Sequence, residues 1–247
     1  FQIMVYVANY LPHKNPADLY RYYEEYSEVF EKPLQATRTP IPIPPKGNRK
    51  KIRVGYVSGD FCRHPVASFI EPVFDCYDRS AFEVYCYYSC PKSDMVTARL
   101  KALVDHWRDV PAVSDEALAA LIREDQIDIL VDLSLHTSDN RLDVFALKPA
   151  PIQVSWLGYP ESSGLSTMDY RLTDAHLEPP AGNQIAAAGE KAWLLPDCWT
   201  CYEPPAGHPA VNDLPSDKGR PFTFGSLNNS CKINDEVLGA WARILLA

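Results

Sequence analysis

Ile52-Arg-Val-Gly-Tyr-Val-Ser-Gly-Asp-Phe-Cys-Arg-His64-Pro65 opens with a compact apolar strand and closes on a polar loop. Behind it, Val66, Phe69, Ile70, Val73, Phe74 and Tyr77 recur at helical spacing, and Phe82, Val84, Cys86 and Tyr88 alternate as the next strand. One strand, one helix and one strand predict a βαβ unit with a parallel sheet. Further along, Ser114 is placed to cap a helix through Leu121 and Ile122, and Ile127–Leu133 is an apolar run typical of a buried parallel strand. Ile152–Trp156 and Tyr170–Leu172 supply two more short strands. The expectation is an α/β fold, a sheet with helices on both faces, whose ligands sit beyond the carboxyl ends of the strands.

Outward from this block, Phe1–Tyr10 is apolar and reads equally as a strand or as the end of a helix. Asn15-Pro16 is a helix cap followed by proline at the first helical position, and Leu19, Tyr22, Tyr23, Tyr26, Val29 and Phe30 then form an aromatic face. Packing against neighbours is its commoner meaning. Thr37–Asn48, with Pro40, Pro42, Pro44 and Pro45, reads as a stiff connector and a domain boundary. Glu203–Pro221 is a second proline-rich segment, after which strand and helix restart. Phe222-Thr-Phe-Gly-Ser is a short β-type run, and Asn234-Asp-Glu opens an amphipathic helix. The boundaries are therefore a helical segment 1–36, a Rossmann-like lobe 51–202, a linker 203–221, and the start of a second Rossmann-like lobe, 222–247.

Composition narrows the function. With 46% hydrophobic and 23% charged residues the chain is globular, and a net charge of −8 argues against a nucleic-acid partner. No stretch reaches membrane-spanning length, so no membrane partner is expected. Seven scattered cysteines are an odd count unlike a disulfide framework, which points to a reducing, cytoplasmic setting. Cys198-Trp-Thr-Cys201 has redox or zinc spacing, but no second pair completes it, and the six histidines form no local ligand motif. No metal site is expected.

Four loops follow strands and carry the candidate chemistry. In Ser58–Pro65, Asp60 and His64 suit a general base or an orienting donor, or else Asp60 caps the coming helix and His64 packs at its start. In Ser134–Arg141, His136, Thr137 and Asn140 offer donors and acceptors suited to sugar hydroxyls, though such a loop also serves solubility alone. Leu157–Gly164 pairs Tyr159 with turn-forming Pro160, as ligand contact or as a rigid turn sealing the core. In Leu227–Ile233, Lys232 stands just before a helix start, where its charge would join the partial positive charge of the free amides; that arrangement suits a diphosphate. A solvated lysine is the plainer alternative.

Several runs in order extend the reading. Ile52-Arg-Val-Gly-Tyr-Val-Ser-Gly-Asp with His64-Pro65, Ile127–Leu133 with His136-Thr137 and Asn140-Arg141-Leu142, Lys148-Pro-Ala-Pro-Ile-Gln-Val with Leu157-Gly-Tyr-Pro160, Met168-Asp-Tyr-Arg-Leu-Thr-Asp174, and Phe224-Gly-Ser-Leu-Asn-Asn229 with Lys232 resemble the catalytic region of the O-linked N-acetylglucosamine transferase and SPINDLY family. The resemblance covers nearly the whole chain, and residues 1–32 look like the segment joining that family's tetratricopeptide repeats to its catalytic part. It implies a GT-B enzyme of two Rossmann-like lobes that transfers a sugar to Ser or Thr of protein acceptors, with inversion and without a metal or other cofactor. The donor implied is UDP-N-acetylglucosamine, with GDP-fucose as the alternative because one branch includes a protein O-fucosyltransferase. By resemblance His64 lies near sugar and acceptor as a positioning group, Thr137 is a sugar-side residue, Lys232 binds the donor diphosphate, and Asn229 is a neighbouring donor-contacting amide. Asp60, His136, Asn140, Tyr159 and Pro160 complete the expected substrate side. Oligomers through the absent repeats and a nuclear location in a eukaryote are also implied. Two departures stand out: Leu135 occupies a usual glycine position, which suggests a non-catalytic binding module as another reading, and Gly59 replaces a frequent Ser or Pro. Because most of the nucleotide lobe is not in the sequence, the chain in isolation is expected to be inactive.

Overall fold

The structure is a computed structural model and describes residues 2–11, 16–38, 50–178, 189–204, 207–214, 217, 219 and 221–246. Asn15, the proline run Pro40 to Pro45, and Pro205 and Pro215 of the second proline-rich segment lie outside those residues.

Seven parallel strands form one sheet: β1 (Ile52–Ser58), β2 (Phe82–Tyr88), β3 (His106–Asp109), β4 (Ile129–Asp132), β5 (Ile152–Ser155), β6 (Tyr170–Asp174) and β7 (Lys191–Leu195), in the order β3-β2-β1-β4-β5-β6-β7. Sequence patterning anticipates the five inner strands. It misses β3 and β7, the two edges, where pairing on one side alone leaves no full alternation of buried side chains; β7 exposes Trp193 and Leu194.

Helices cover both faces because successive strand residues point opposite ways. Val54, Val84, Cys86, Tyr88, Val131 and Val154 pack on Val66, Ile70 and Phe74 of α4 (Pro65–Cys76) and Leu100 of α5 (Met95–Leu103). Val57, Tyr85, Tyr87 and Leu130 face the other side, against Leu118 and Ile122 of α6 (Asp115–Glu124) and Leu142 and Phe145 of α7 (Leu142–Ala146). That second core continues into the N-terminal segment. Val5 of α1 (Gln2–Ala8) and Tyr23 and Tyr26 of α2 (Pro16–Tyr26) belong to it, so the opening stretch is a helix rather than a strand, and the aromatic face of α2 is core. A π-helical turn, Ser27–Glu31, leads into α3 (Lys32–Leu34).

The chain divides into two compact units, the first holding the sheet and the N-terminal helices, the second made of residues 10–12 and the chain from Pro204 onward. In the second unit Ser230–Lys232 forms a 3-10 turn and α8 spans Asp235–Leu246. Asn234 caps α8, its Oδ1 accepting the Val237 N–H at 3.0 Å, as the sequence predicts. The β-type run Phe222–Ser226 is a correction: it is irregular, with Phe222 and Phe224 exposed, and among the described residues no strand lies beside it to pair its backbone.

Candidate active site

Strand order reverses between β1 and β4, and in an open parallel sheet the ligand crevice lies beyond the carboxyl ends at that point. The register pairs Val57 with Asp132 and Asp132 with Ser155, so the loops after β1, β4 and β5 leave the sheet side by side. They touch through two glycines. A Cβ on Gly59 would lie 2.7 Å from Asp139 Cβ, and one on Gly158 would lie 2.7 Å from the Ser134 carbonyl. Only a residue without a side chain permits either approach.

The first loop is drawn in by Ser58 Oγ, which accepts the Asp60 N–H at 2.9 Å. His64, not Asp60, caps α4: its Nδ1 accepts the Val66 N–H at 3.3 Å, and Pro65 fills the first helical position. Accepting at Nδ1 leaves the ring proton on Nε2, the nitrogen that makes no protein hydrogen bond among the described residues. Asp60 Oδ2 stands 3.6 Å from Nδ1. Burial raises the Asp60 carboxyl, the His64 charge opposes that, and Asp139 adds to it. His64 is 43% exposed and lines a cleft of about 430 Å³ with Cys62, Arg63, Phe69, Arg99 and Tyr202. The imidazole therefore presents an N–H donor to an open cleft, which suits holding an oxygen better than removing its proton.

The second loop begins at Asp132, a fully buried carboxylate that accepts the Leu135 N–H at 2.7 Å. Burial pushes it up to about 7 against the Leu135 and Ser134 amides, with the charges of Glu190 and Asp60 adding to the rise. Leu135 has φ 48°, the left-handed turn a glycine takes freely, yet its side chain is buried. Thr137, half-buried, donates its hydroxyl to Ser134 O at 2.7 Å.

Three of the expected substrate-side residues, His136, Asn140 and Tyr159, make contacts within the fold. His136 is 0% exposed, its Nε2–H donating to Ser163 O at 2.9 Å and its ring held edge-on by Tyr26 at 4.6 Å. Burial lowers its pKa to about 4 against the Ser163 carbonyl, so it is a neutral core imidazole. Asn140 spends its amide on the fold: Nδ2 donates to Thr137 O at 2.6 Å and Gln2 Oε1 at 2.8 Å, and Oδ1 accepts the Leu142 N–H at 3.2 Å. Tyr159 packs its ring 5.5 Å from Tyr6 with its hydroxyl buried, whereas Pro160 is exposed at the loop tip. Asp60, His64, Thr137 and Pro160 thus lie at the loop face, and His136, Asn140 and Tyr159 form a layer beneath it that rests on the N-terminal helices.

In the second unit, Asn229 Oδ1 accepts the Cys231 N–H at 3.2 Å and caps the turn that carries Lys232, which is exposed just ahead of α8. Sequence reasoning missed two carboxylates near the loops, the fully buried Asp132 and the half-buried Glu190. A lone Asp inside the apolar run Ile129–Leu133 was the available signal for the first. Glu190 Oε1 accepts the Ser163 N–H at 2.8 Å, and burial pushes the carboxyl up to about 7 against its bonds from Ser163. Among the described residues no three His, Cys, Asp or Glu side chains gather as a metal ion requires, and no helix is long and apolar enough to cross a membrane.

A doubly wound parallel lobe, whose β1 loop lines an open cleft, defines a Rossmann-like domain. Residues 31–200 match glycosyl transferase family 41, and the chain belongs to that family. It is 40% identical over 206 residues to the probable UDP-N-acetylglucosamine–peptide N-acetylglucosaminyltransferase SPINDLY of Arabidopsis thaliana, covering 82% of this chain and 22% of that protein. The SPINDLY of Oryza sativa subsp. japonica is 38% identical over 243 residues, 97% of this chain and 26% of its own length. Among solved structures, the K341M mutant of the Thermobaculum terrenum O-GlcNAc transferase superposes with a TM-score of 0.88 at 38% identity, over 99% of this chain and 46% of that one. The chain thus spans about a quarter of these curated relatives.

Proposed function

We propose that this chain is part of the catalytic region of a metal-independent, inverting protein O-glycosyltransferase that moves N-acetylglucosamine from UDP-N-acetylglucosamine to Ser or Thr hydroxyls of proteins. The observation that carries the reading is the identity of 38–40% to relatives whose names state this transfer, over 82–97% of the chain. Those names speak for UDP-N-acetylglucosamine over GDP-fucose as donor. The acceptor hydroxyl oxygen attacks the anomeric carbon from the face opposite the diphosphate, the bond to the diphosphate oxygen breaks, and the hydroxyl proton is lost. Lys232 meets the charge that grows on the departing diphosphate, where a fixed cation lowers the barrier most. Asn229 shapes the turn behind it and contacts the donor. His64, its ring set by the Val66 N–H at Nδ1, holds an oxygen of sugar or acceptor through Nε2–H, with Asp60 beside it and Thr137 and Pro160 on the sugar side. The left-handed turn at Leu135 supports a working loop over a non-catalytic module, because the leucine adopts the backbone that a glycine would. The repeat-joining role of residues 1–36, assembly through repeats, and a cytoplasmic or nuclear setting belong to the same reading.

The test is transfer of labelled N-acetylglucosamine by the full-length protein and by its Lys232→Ala and His64→Ala variants. Loss of about 10²-fold or more in kcat is expected for Lys232→Ala, the range for removing one transition-state donor. Unchanged transfer in that variant removes the assignment.

A further inference from the structure

Cys198-Trp-Thr-Cys201 is absorbed by nothing above, and its placement is specific. Both thiols are exposed and unbridged. Between them Trp199 is clamped to the sheet at both backbone groups: its N–H donates to Asp174 Oδ2 at 2.5 Å at the end of β6, and its carbonyl accepts the Trp156 Nε1–H at 2.9 Å. The chain bends at Trp199, and Cys198 Sγ sits 3.4 Å from Thr200 Oγ1. Two residues between the cysteines is the spacing at which a four-residue turn can bring two thiols within a disulfide's reach. The next residue, Tyr202, walls the His64 cleft, its ring 6.1 Å from Phe69.

We propose that Cys198 and Cys201 are a reversible dithiol/disulfide site, whose co-reactant is a low-molecular-weight disulfide, and that its state sets the position of the Tyr202 wall. One cysteine thiolate attacks a sulfur of the small disulfide, forming a mixed disulfide and releasing one small thiolate. The second cysteine thiolate attacks the protein sulfur of that mixed disulfide, closing the Cys198 to Cys201 bond and releasing the second. Two electrons pass from the protein pair to the small disulfide, and the released thiolates take up the two thiol protons. With Trp199 clamped, ring closure moves Cys201 and its neighbour Tyr202, not the sheet. A metal is the weaker occupant, since two sulfurs stand without a third ligand among the described residues.

The test treats the full-length protein with oxidised glutathione, blocks remaining thiols with N-ethylmaleimide, and maps peptides by mass, which is independent of sugar transfer. Expected is joint loss of alkylation at Cys198 and Cys201, one intramolecular disulfide between them, recovery with dithiothreitol, and a changed alkylation rate at Cys62, which lines the same cleft. In Cys198→Ser, Cys201 should carry a single glutathione. Both cysteines staying alkylatable, each carrying its own glutathione, or pairing with another cysteine would overturn the site. An unchanged Cys62 rate on oxidation would overturn its link to the cleft. Both positions are exposed, so the serine variants keep the fold.

Discussion

Replacing His136 by Phe, and comparing the stability difference from wild type at about pH 7.5 and about pH 5, isolates the cost of keeping an imidazole neutral in the core. Its pKa falls from 6.5 to about 4 because burial disfavours the charged ring. Below 6.5 the unfolded chain takes up a proton that the folded chain refuses until about pH 4, so this histidine's contribution to stability is lost as pH falls through that window. At about pH 5 the unfolded form is favoured roughly 30-fold by protonation and the folded form hardly at all, which is about 2 kcal/mol. Phenylalanine keeps the ring between Tyr23 and Tyr26 but gives up the bond to Ser163 O, a pH-independent loss of about 1 kcal/mol. Asp132 and Glu190, each pushed up to about 7 by burial, run the other way, because the folded state takes up their protons first as pH falls. They are present in both proteins and cancel in the difference. Guanidinium unfolding followed by tryptophan fluorescence gives each stability by linear extrapolation. The variant should gain about 2 kcal/mol on wild type between the two pH values. A difference constant to within about 0.5 kcal/mol would mean that His136 is not the neutral core group described.

Gly158→Ala forces a Cβ to within 2.7 Å of the Ser134 carbonyl, so a loss of about 1–3 kcal/mol and reduced sugar transfer are expected by thermal melting and the labelled-donor assay; an unshifted melt would show that the loops do not meet there. Glu31→Ala removes a buried carboxylate that accepts the Ser166 N–H at 2.9 Å, Ser27 Oγ at 2.7 Å and Arg38 at 2.6 Å, leaving the arginine without its carboxylate, at about 3–5 kcal/mol. Burial raises the Glu31 carboxyl but its hydrogen bonds outweigh that and hold it below 4.5, so the wild-type advantage, present above that value, should fade as pH falls through the lowered one; an advantage undiminished in acid contradicts this. Asn234→Ala should cost α8 about 1 kcal/mol through loss of the cap to Val237, read as faster amide exchange in its first turn.

The inner strands and the helices between them were legible because burial on both sheet faces leaves apolar runs and helical spacing that local sequence carries. So were the loops after β1, β4 and β5, since parallel topology alone places them after strands; the fourth, Leu227–Ile233, follows no strand among the described residues. Side-chain direction within those loops was not. His64 and His136 both follow a parallel strand, yet one caps a helix beside a cleft and the other lies under Tyr23 and Tyr26. The difference comes from the left-handed backbone at Leu135 and from helices more than a hundred residues away in sequence, neither of which periodicity encodes. The same long-range contact turns Asn140 inward, through Gln2.

That layering gives a polar loop a structural framework. The half-buried Thr137 is fixed from below and beside: the buried Asp132 holds the Leu135 amide, the buried His136 ties the loop to Ser163, and the half-buried Asn140 accepts from Leu142 while donating to Thr137 O. A site must be held to within about 0.5 Å to use its geometry, and a surface loop alone supplies no such rigidity. Here Gly59 and Gly158 let the neighbouring loops press directly on Asp139 and Ser134, so the loop between them is gripped at both ends. His136 and Asn140, which the sequence offered for ligand contact, are therefore the residues that hold the backbone around Thr137.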